Sequence, residues 1–230
     1  MANFVLVPGA WLGAWAWDDV TPGLRAAGHG VFPLTLAGLA ERRGEPAGQR
    51  THVRDIVGEV ERHDLRDVVL VGHSYSGIPV GQAAELIGDR LTRVVFVDSN
   101  VPADGASFAS GPWGEPLERA LAENDGFWQP LGAAEYAGQG LTDDQVARIV
   151  GGSTPHPGAT LTEPAALSRP LGELPATYIK CLLDGAVPNP DVQELLGSDR
   201  WRLVEMDTGH WPMFSRPDEL TEVLLGSAGS

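Results

Sequence analysis

Short apolar runs recur along the 230-residue chain, separated by segments in which apolar and polar positions alternate at helical spacing. The runs span residues 4–7, 30–34, 68–71, 94–97, 177–183 and 201–206. Most are apolar at nearly every position, which is typical of strands buried on both faces of a parallel sheet. Helix-like segments span residues 17–27, 52–62, 78–87 and 217–225. This alternation predicts an α/β fold, with a mostly parallel twisted sheet and helices on both faces.

One interval, from residue 100 to residue 175, breaks this rhythm. It contains many proline and glycine residues, scattered aromatic residues and two helix-like segments at 115–123 and 143–150, but no convincing strand. Structureless loops of that length are rare inside a compact domain. We therefore expect residues 1–99 and 176–230 to form the core domain. Residues 100–175 are expected to form a small helical cap, inserted after the strand that ends near Asp98.

Composition narrows the range of partners. The formal net charge is −15, which repels phosphate backbones and anionic headgroups, so we expect neither nucleic acid nor membrane partners. Cys181 is the only cysteine and excludes an intrachain disulfide. We recognise no signal peptide and no apolar stretch near the roughly 20 residues that cross a bilayer. A cytoplasmic protein is expected, and a homodimer is compatible with the sequence. The abundance of arginine, alanine and glycine is typical of a GC-rich bacterial gene.

The segment VVLVGHSYSG, residues 68–77, places a serine between a strand and a helix. A serine on such a sharp turn projects its hydroxyl above the sheet edge, and the following N–H groups point toward a developing oxyanion. The residues two before and two after this serine must be small. They are Gly72 and Ser76, where the consensus has glycine at both positions. Ser74 is therefore the candidate nucleophile.

Two candidate partners follow the last two predicted strands. Asp184 comes after the strand 177–183, and His210 comes after the strand 201–206. Loops that follow parallel strands meet at one edge of the sheet, so these side chains can reach Ser74. A neutral imidazole can take the serine proton while a carboxylate fixes its tautomer. Asp98, at the end of the strand 94–97, is the alternative acid.

The exit of the first strand, VPGAWLGAW, supplies a second candidate element. An oxyanion hole needs a backbone N–H from this loop, and glycine lets the backbone approach a substrate closely. We assign the backbone N–H groups of Ala10 and Tyr75 as the oxyanion donors. Gly9 and Trp11 are candidate substrate-binding residues, and Trp11 is alternatively a packing residue.

Large aromatic side chains are the other candidates for substrate binding. Trp113, Phe127 and Trp128 of the predicted cap, with Trp211 beside His210, would line an apolar pocket. A small core within the cap is the alternative interpretation. The other histidines show no catalytic or metal-ligand spacing, so we expect no metal and no cofactor. These histidines are His29, His52, His63, His73 and His156.

Several blocks of the chain resemble one branch of the α/β-hydrolase superfamily, which contains plant methyl-ester esterases, hydroxynitrile lyases and bacterial esterase relatives. The blocks are VLVPGAWLGAWAW, AAGHGVFPLTLAG, VVLVGHSYSG, VVFVDSNVP, YIKCLLDGAVP and TGHWPMFSRPDEL. They cover both ends of the chain in matching order, whereas the cap matches only in position. The resemblance implies the same roles for Ser74, Asp184 and His210, and the same oxyanion donors, Ala10 and Tyr75.

The departures from that branch are informative. The branch usually has histidine where this chain has Pro8. Its hydroxynitrile lyases use a threonine in the oxyanion loop and a lysine directly after the catalytic histidine, where this chain has Gly9 and Trp211. Cyanide release is therefore disfavoured. Epoxide hydrolases and dehalogenases of this fold use an aspartate nucleophile, and Ser74 disfavours both.

The sequence thus predicts a serine hydrolase that cleaves a small, largely apolar carboxylic ester or lactone through an acyl-enzyme. Three alternatives stay open, one of which is a biosynthetic cyclase or a chaperone-like partner. A lyase or acyltransferase could use the same triad without net hydrolysis. A small-ligand binding protein could keep the fold with weak esterase activity. Fold alone does not decide among them.

Overall fold

Six parallel strands form the central sheet of the protein. The computed structural model describes residues 1–111 and 114–228. The sheet contains β1 (Asn3–Val7), β2 (Gly30–Pro33), β3 (Val68–His73), β4 (Leu91–Val97), β7 (Ala176–Cys181) and β8 (Trp201–Met206). Their order across the sheet is β2-β1-β3-β4-β7-β8, and every adjacent pair is parallel. The predicted α/β class is therefore confirmed, and all six predicted strands are present.

Helices cover both faces of this sheet. The helices of the described chain are α1 (Thr21–Ala26), α2 (Gln49–Arg62), α3 (Gly77–Ile87), α4 (Gly114–Glu123), α5 (Asp143–Gly152), α6 (Ala159–Thr162), α7 (Pro190–Leu195), α8 (Pro212–Ser215) and α9 (Pro217–Ala228). Apolar residues of α1, α8 and α9 pack against one face, and those of α2, α3 and α7 pack against the other. No helix of the described residues is both long and apolar enough to span a bilayer.

Alternation along the strands builds two hydrophobic cores. In β1, Phe4 and Leu6 face the core that contains α1 and α9, while Val5 and Val7 face the core that contains α2 and α3. All four side chains are fully buried. Successive side chains of a strand point to opposite faces, so a strand buried on both faces must be apolar throughout. This is the physical origin of the continuous apolar runs in the sequence.

Two local elements differ from the prediction. The first helix begins at Thr21 instead of residue 17, because Ala14–Trp17 form a separate 3-10 turn and Pro22 lies in the first turn of α1, where its fixed φ favours helix initiation. The interval between β4 and β7 contains an antiparallel pair, β5 (Phe127–Trp128) with β6 (His156–Pro157), where no strand was expected. Strands of two residues leave no periodic pattern to detect.

The interval between β4 and β7 also supplies α4, α5 and α6, as expected for a small helical cap after the strand that ends near Asp98. The division into a core of residues 1–99 and 176–230 and a cap of residues 100–175 stays a prediction. Leu117, Leu121 and Leu161 from this interval form a third apolar cluster with residues that follow β1 and β3. The interval therefore packs over the edge of the sheet at which parallel strands end.

Candidate active site

Ser74 lies in a strained turn directly after β3. Its φ is +55°, in the left-handed region that non-glycine residues rarely adopt. A one-turn 3-10 helix, Ser74–Ser76, leads into α3. A Cβ on Gly72 would lie 3.0 Å from the carbonyl oxygen of Ser76 and 3.0 Å from Val80 Cγ2 of α3, so glycine at residue 72 allows the close approach of β3 and α3. Strain at such a turn persists where the surrounding structure enforces it, and it typically marks a functional position.

The two departures from the sequence pattern at this site are in contact with each other. The hydroxyl of Ser76 donates a short hydrogen bond to the carbonyl oxygen of Pro8. Ser76 is fully buried, so its hydroxyl needs such a partner. The bond joins the turn that carries the candidate nucleophile to the loop after β1. The serine in place of the consensus glycine is therefore accommodated by a specific acceptor.

His210 lies within hydrogen-bond distance of the nucleophile. Its Nε2 is 2.9 Å from Ser74 Oγ. Its backbone N–H donates to Gln139 Oε1 at 2.7 Å, which links the loop after β8 to the cap interval. Its ring packs edge-on against Trp211, with centroids 5.0 Å apart. The histidine is thus oriented from three sides toward Ser74.

Two carboxylates approach the other ring nitrogen of His210. Asp98 Oδ2 lies 2.8 Å from Nδ1, and Asp184 Oδ2 lies 3.2 Å from the same atom. The Asp98 side chain is 2% exposed, whereas the Asp184 side chain is 41% exposed. The structure therefore brings together the predicted acid Asp184 and its alternative Asp98.

Asp98 is held in place by groups from β7. Its Oδ1 accepts from Lys180 Nζ at 2.7 Å and from the Cys181 backbone N–H at 3.2 Å. Lys180 also donates to the carbonyl oxygen of Asp184 at 3.1 Å. The only lysine of the chain thus neutralises one of the two carboxylates and fixes the turn that carries the other. Such charge-assisted hydrogen bonds are what a buried carboxylate requires.

This arrangement changes the protonation of His210. Burial disfavours the imidazolium, but the carboxylates of Asp184 and Asp98 outweigh burial and raise the pKa of His210 to about 9. Burial alone would raise the pKa of Asp184, but the hydrogen bond with His210 lowers it to about 2. Asp184 is therefore ionised at any ordinary pH and stabilises positive charge on the imidazole.

His73 joins three parts of the site beneath the nucleophile. Its Nδ1 accepts from the Gly9 backbone N–H at 3.2 Å, and its Nε2 lies 2.7 Å from the carbonyl oxygen of His210. A carbonyl oxygen only accepts, so the proton of His73 lies on Nε2. Burial, with the nearby His210, lowers the pKa of His73 to about 3, so it stays neutral. These two hydrogen bonds connect the loop after β1 to the loop that carries His210.

The loop after β1 runs close to the nucleophile. A Cβ on Gly9 would lie 2.8 Å from Ser74 Cβ, so only glycine permits this approach. Within the described residues the Ala10 N–H donates to no protein acceptor. Tyr75 is the second residue of its helical turn, where an N–H has no intrahelical partner. Both N–H groups are thus available to a ligand oxygen, as the prediction of an oxyanion hole requires.

Aromatic residues cover one side of this loop. The rings of Trp11 and Trp128 lie 4.2 Å apart, and Phe108 lies 5.8 Å from Trp128. Around them is the third apolar cluster, whose buried members are Ala10, Trp11, Tyr75, Leu117, Leu121 and Leu161. The Trp11 ring belongs to the cluster beside the oxyanion loop. Its interpretation as a packing residue is therefore compatible with its predicted contact to the substrate.

Two of the other candidate substrate-binding residues, Phe127 and Trp211, lie away from this cluster. Phe127 is 42% exposed and outside the third cluster, because the alternation of β5 turns Trp128 inward and Phe127 outward. Trp211 is buried and packs on Tyr136, with ring centroids 4.6 Å apart, in the core beneath α9. Trp113 lies outside the described residues.

One group of described side chains has the spacing of metal ligands. It consists of Asp98, Asp184 and His210, whose donor atoms lie within 4.8 Å of one another. Lys180 already places a cation 2.7 Å from Asp98. His210 Nε2 is directed at Ser74. The group is therefore better matched to proton transfer than to metal binding.

Lys180 and Gln139, which orient Asp98 and His210, were not among the predicted site residues. Lys180 could have been suspected, since a lysine in an otherwise apolar strand needs a buried acidic partner. Gln139 carries no signal, because its role depends on how the cap interval packs. Three apolar residues of the third cluster were not predicted either, because they lie in a segment without recognisable motifs: Leu117, Leu121 and Leu161.

Comparison with known proteins finds esterases among the relatives of this chain. A carbendazim hydrolyzing esterase of Nocardioides sp. (strain SG-4G) is 34% identical over 242 residues, which cover 97% of this chain and 98% of the relative. Methylesterase 9 of Arabidopsis thaliana is 29% identical over 255 residues, which cover 98% of this chain and 97% of the relative. Both alignments span nearly the whole of each protein, so the similarity includes the cap interval.

A solved structure has the same fold over its full length. It is an extracellular alpha/beta-hydrolase from a Paenibacillus species, described as sharing structural and functional homology with tobacco salicylic acid binding protein 2. It superposes with a TM-score of 0.87 at 23% identity and covers 100% of both chains. The family profile described as "Alpha/beta hydrolase family" matches residues 4–223. The chain therefore belongs to the alpha/beta hydrolase family.

Proposed function

We propose that this protein is a carboxylic-ester hydrolase that cleaves a small, largely apolar ester or lactone through an acyl-enzyme. The observation that carries the proposal is the continuous arrangement from Ser74 Oγ to His210 Nε2 at 2.9 Å, and from His210 Nδ1 to the carboxylates of Asp98 and Asp184. Nucleophile, base and orienting acid within hydrogen-bond reach are what acyl transfer requires.

The chemistry follows from these positions. Ser74 Oγ attacks the ester carbonyl carbon while His210 Nε2 takes its proton. The oxyanion of the tetrahedral intermediate accepts from the N–H groups of Ala10 and Tyr75. His210 then protonates the leaving alkoxide oxygen, which departs as the alcohol. A water molecule activated by His210 releases the acid and regenerates the Ser74 hydroxyl.

The pair of carboxylates has a defined task in this mechanism. The Nδ1–H of His210 is directed between Asp98 and Asp184, which fixes the tautomer whose Nε2 can accept the serine proton. Both carboxylates stabilise the imidazolium that forms in the transition state. We therefore propose that Asp184 shares the role of orienting acid with Asp98.

The substrate class rests on the third apolar cluster and on the relatives. Trp11, Trp128 and Phe108 border the oxyanion loop, which favours an apolar acyl or alcohol group. Two relatives carry the names carbendazim hydrolyzing esterase and methylesterase. Hydrolysis of p-nitrophenyl esters of increasing acyl length, of methyl esters and of carbendazim by the purified chain tests this assignment. Turnover with a pre-steady-state burst is expected, and absence of turnover on every substrate would contradict it.

The pH dependence of this activity is a separate expectation. His210 must be neutral to act as a base, and its pKa is raised to about 9. We expect kcat/KM, which reports the free enzyme, to rise with pH through an apparent pKa near 9. In the described chain, Asp98, Asp184 and His73 face the imidazole, and Lys180 neutralises Asp98. Replacing Asp184 with asparagine removes a negative charge that stabilises the imidazolium. The apparent pKa of the kcat/KM profile should therefore fall by about one unit.

This expectation is checked by measuring kcat/KM from about pH 6 to about pH 10, with the Ser74→Ala variant as the blank for alkaline ester hydrolysis. His63→Ala, which removes a distant histidine whose side chain is 41% exposed, is the matched control and should leave the profile in place. A profile that is flat over this range, or one that Asp184→Asn does not shift, would contradict the account of His210.

A further inference from the structure

We propose that His156, a fully buried histidine of β6, is a positioning residue for the oxyanion hole: it accepts the backbone N–H of Trp11 and thereby holds the Ala10 N–H toward the reacting carbonyl. His156 Nδ1 lies 3.3 Å from Trp11 N. This inference rests on the proposed function, because it assigns a task within the same site. The sequence analysis expected no catalytic task for this histidine.

Trp11 needs to be held. Its φ is +67°, a left-handed conformation that is unfavourable for a bulky residue by about 1–3 kcal/mol. The peptide that carries the Trp11 N–H is joined through the Ala10 Cα to the peptide that carries the Ala10 N–H, so fixing the first restricts the directions that the second can take. The conformation persists only if surrounding groups impose it, and every polar group of Trp11 is indeed bonded.

The groups that hold Trp11 all come from the interval between β4 and β7. Besides the bond to His156, the Trp11 indole N–H donates to the carbonyl oxygen of Trp128 at 3.0 Å. The Trp11 carbonyl oxygen accepts from the Thr154 N–H at 2.9 Å. Three groups of Trp11, its backbone N–H, its carbonyl oxygen and its indole N–H, thus bond the loop after β1 to the β5–β6 region.

The tautomer of His156 is determined by its partners. A backbone N–H only donates, so Nδ1 must carry the lone pair and Nε2 the proton. That proton is directed at Thr160 Oγ1, 2.8 Å away, and the Thr160 hydroxyl donates to the Pro157 carbonyl oxygen at 2.7 Å. Every donor in this chain of hydrogen bonds, from the Trp11 N–H to the Thr160 hydroxyl, has an acceptor. Burial also holds the pKa of His156 well below its usual value, so the lone pair on Nδ1 is retained.

His156 also contacts the residue that carries the second oxyanion donor. Its ring packs edge-on against the Tyr75 ring, with centroids 4.7 Å apart. The Tyr75 hydroxyl is 2.9 Å from His52 Nδ1 and 3.3 Å from the Thr160 carbonyl oxygen. One histidine therefore contacts Trp11, the neighbour of the first proposed donor, and Tyr75, which carries the second. It fixes one through a hydrogen bond and the other through packing.

The consequence is an effect on the transition state and not on substrate affinity. Loss of one oxyanion donor lowers kcat by about 10²–10³-fold. When the donor is displaced but still present, the loss in kcat should be smaller, about ten- to a hundredfold. Substrate binding in the ground state does not use the oxyanion, so KM should change little.

The test compares three variants of the full chain. His156→Leu removes the acceptor at similar size, and His156→Asn keeps an acceptor oxygen near the position of Nδ1. His29→Leu is the matched control, since His29 Nδ1 likewise accepts a backbone N–H, that of Ala2 at 3.1 Å, at the opposite end of β1. For each variant, kcat, KM, melting temperature and the inhibition constant of a trifluoromethyl ketone are measured, because the adduct of this inhibitor places an oxyanion in the hole.

We expect His156→Leu to lose about ten- to a hundredfold in kcat and in trifluoromethyl ketone affinity at nearly constant KM. His156→Asn should recover most of both, and His29→Leu should retain wild-type values. If His156→Leu does not fold, Thr160→Val takes its place. It removes the acceptor of the His156 Nε2–H and so loosens the ring, and kcat and inhibitor affinity should fall in the same direction but by less. Wild-type kcat and inhibitor affinity in the folded variant would overturn this inference. Failure of the wild type to hydrolyse any ester would instead overturn the proposed function.

Discussion

Replacing Ser74 with alanine, His210 with alanine, or both together is expected to lower kcat by about 10⁴- to 10⁶-fold in all three cases. The hydroxyl and the imidazole, 2.9 Å apart, act as one unit. Without the base the serine hydroxyl stays protonated, and without the serine the base has no nucleophile to activate. The second substitution therefore removes little that the first has left. The residual rate should come from the oxyanion donors and substrate binding alone.

The measurement is kcat on a p-nitrophenyl ester for the two single variants and the double variant. Ser168→Ala and His63→Ala are the matched controls, since both residues lie at the surface away from the site. The controls should retain wild-type turnover. Effects of the two single substitutions that multiply in the double variant would mean that Ser74 and His210 act independently, which contradicts the proposed mechanism.

The second large effect concerns the two carboxylates. Asparagine at position 98 or at position 184 alone should lower kcat by about ten- to a hundredfold, and asparagine at both positions by about 10³- to 10⁴-fold. Either remaining carboxylate can still accept the Nδ1–H of His210, at 2.8 Å for Asp98 and 3.2 Å for Asp184. With neither present, the imidazole loses its fixed tautomer and the charge that stabilises the imidazolium.

Asp98 cannot be neutralised alone without a second effect. Lys180 and Asp98 are both buried, and removing one partner of such a pair destabilises a protein by about 3–5 kcal/mol. Asp98→Asn is therefore always made together with Lys180→Met, in the single and in the double variant, so that neither partner of the pair is left alone. Asp184→Asn is made in the wild-type chain, and all variants are compared with the wild type. Melting temperatures of all variants show that the fold is retained. If one single variant is as slow as the double variant, that residue alone is the orienting acid and the shared role is wrong.

The sequence could predict those parts of the site that depend on local pattern. The six strands follow from continuous apolar runs, and parallel strands bring their following loops to one edge. That alone suffices to place Ser74 and His210 near each other. The same reasoning could not choose between Asp98 and Asp184. Each follows a strand, and β4 pairs directly with β7, so both carboxylates reach the same imidazole nitrogen.

The parts that the sequence could not predict depend on contacts between distant segments. His156 bonds Trp11 across 145 residues, and Gln139 bonds His210 across 71. Both come from the interval in which helix and strand patterns are weak, and neither belongs to a motif. Phe127 and Trp128 look equivalent in sequence, and only their alternation in β5 turns one outward. The cap interval is therefore where structure adds most to the account of the site.

Covalent labelling with a fluorophosphonate reports whether Ser74 is an activated nucleophile. The wild-type chain and the Ser74→Ala variant are incubated with the probe, and intact mass with peptide mapping locates the adduct. We expect one phosphonyl group per wild-type chain, attached at Ser74, and none on Ser74→Ala. A folded wild-type chain that stays unlabelled, or a label that persists in Ser74→Ala, would contradict it.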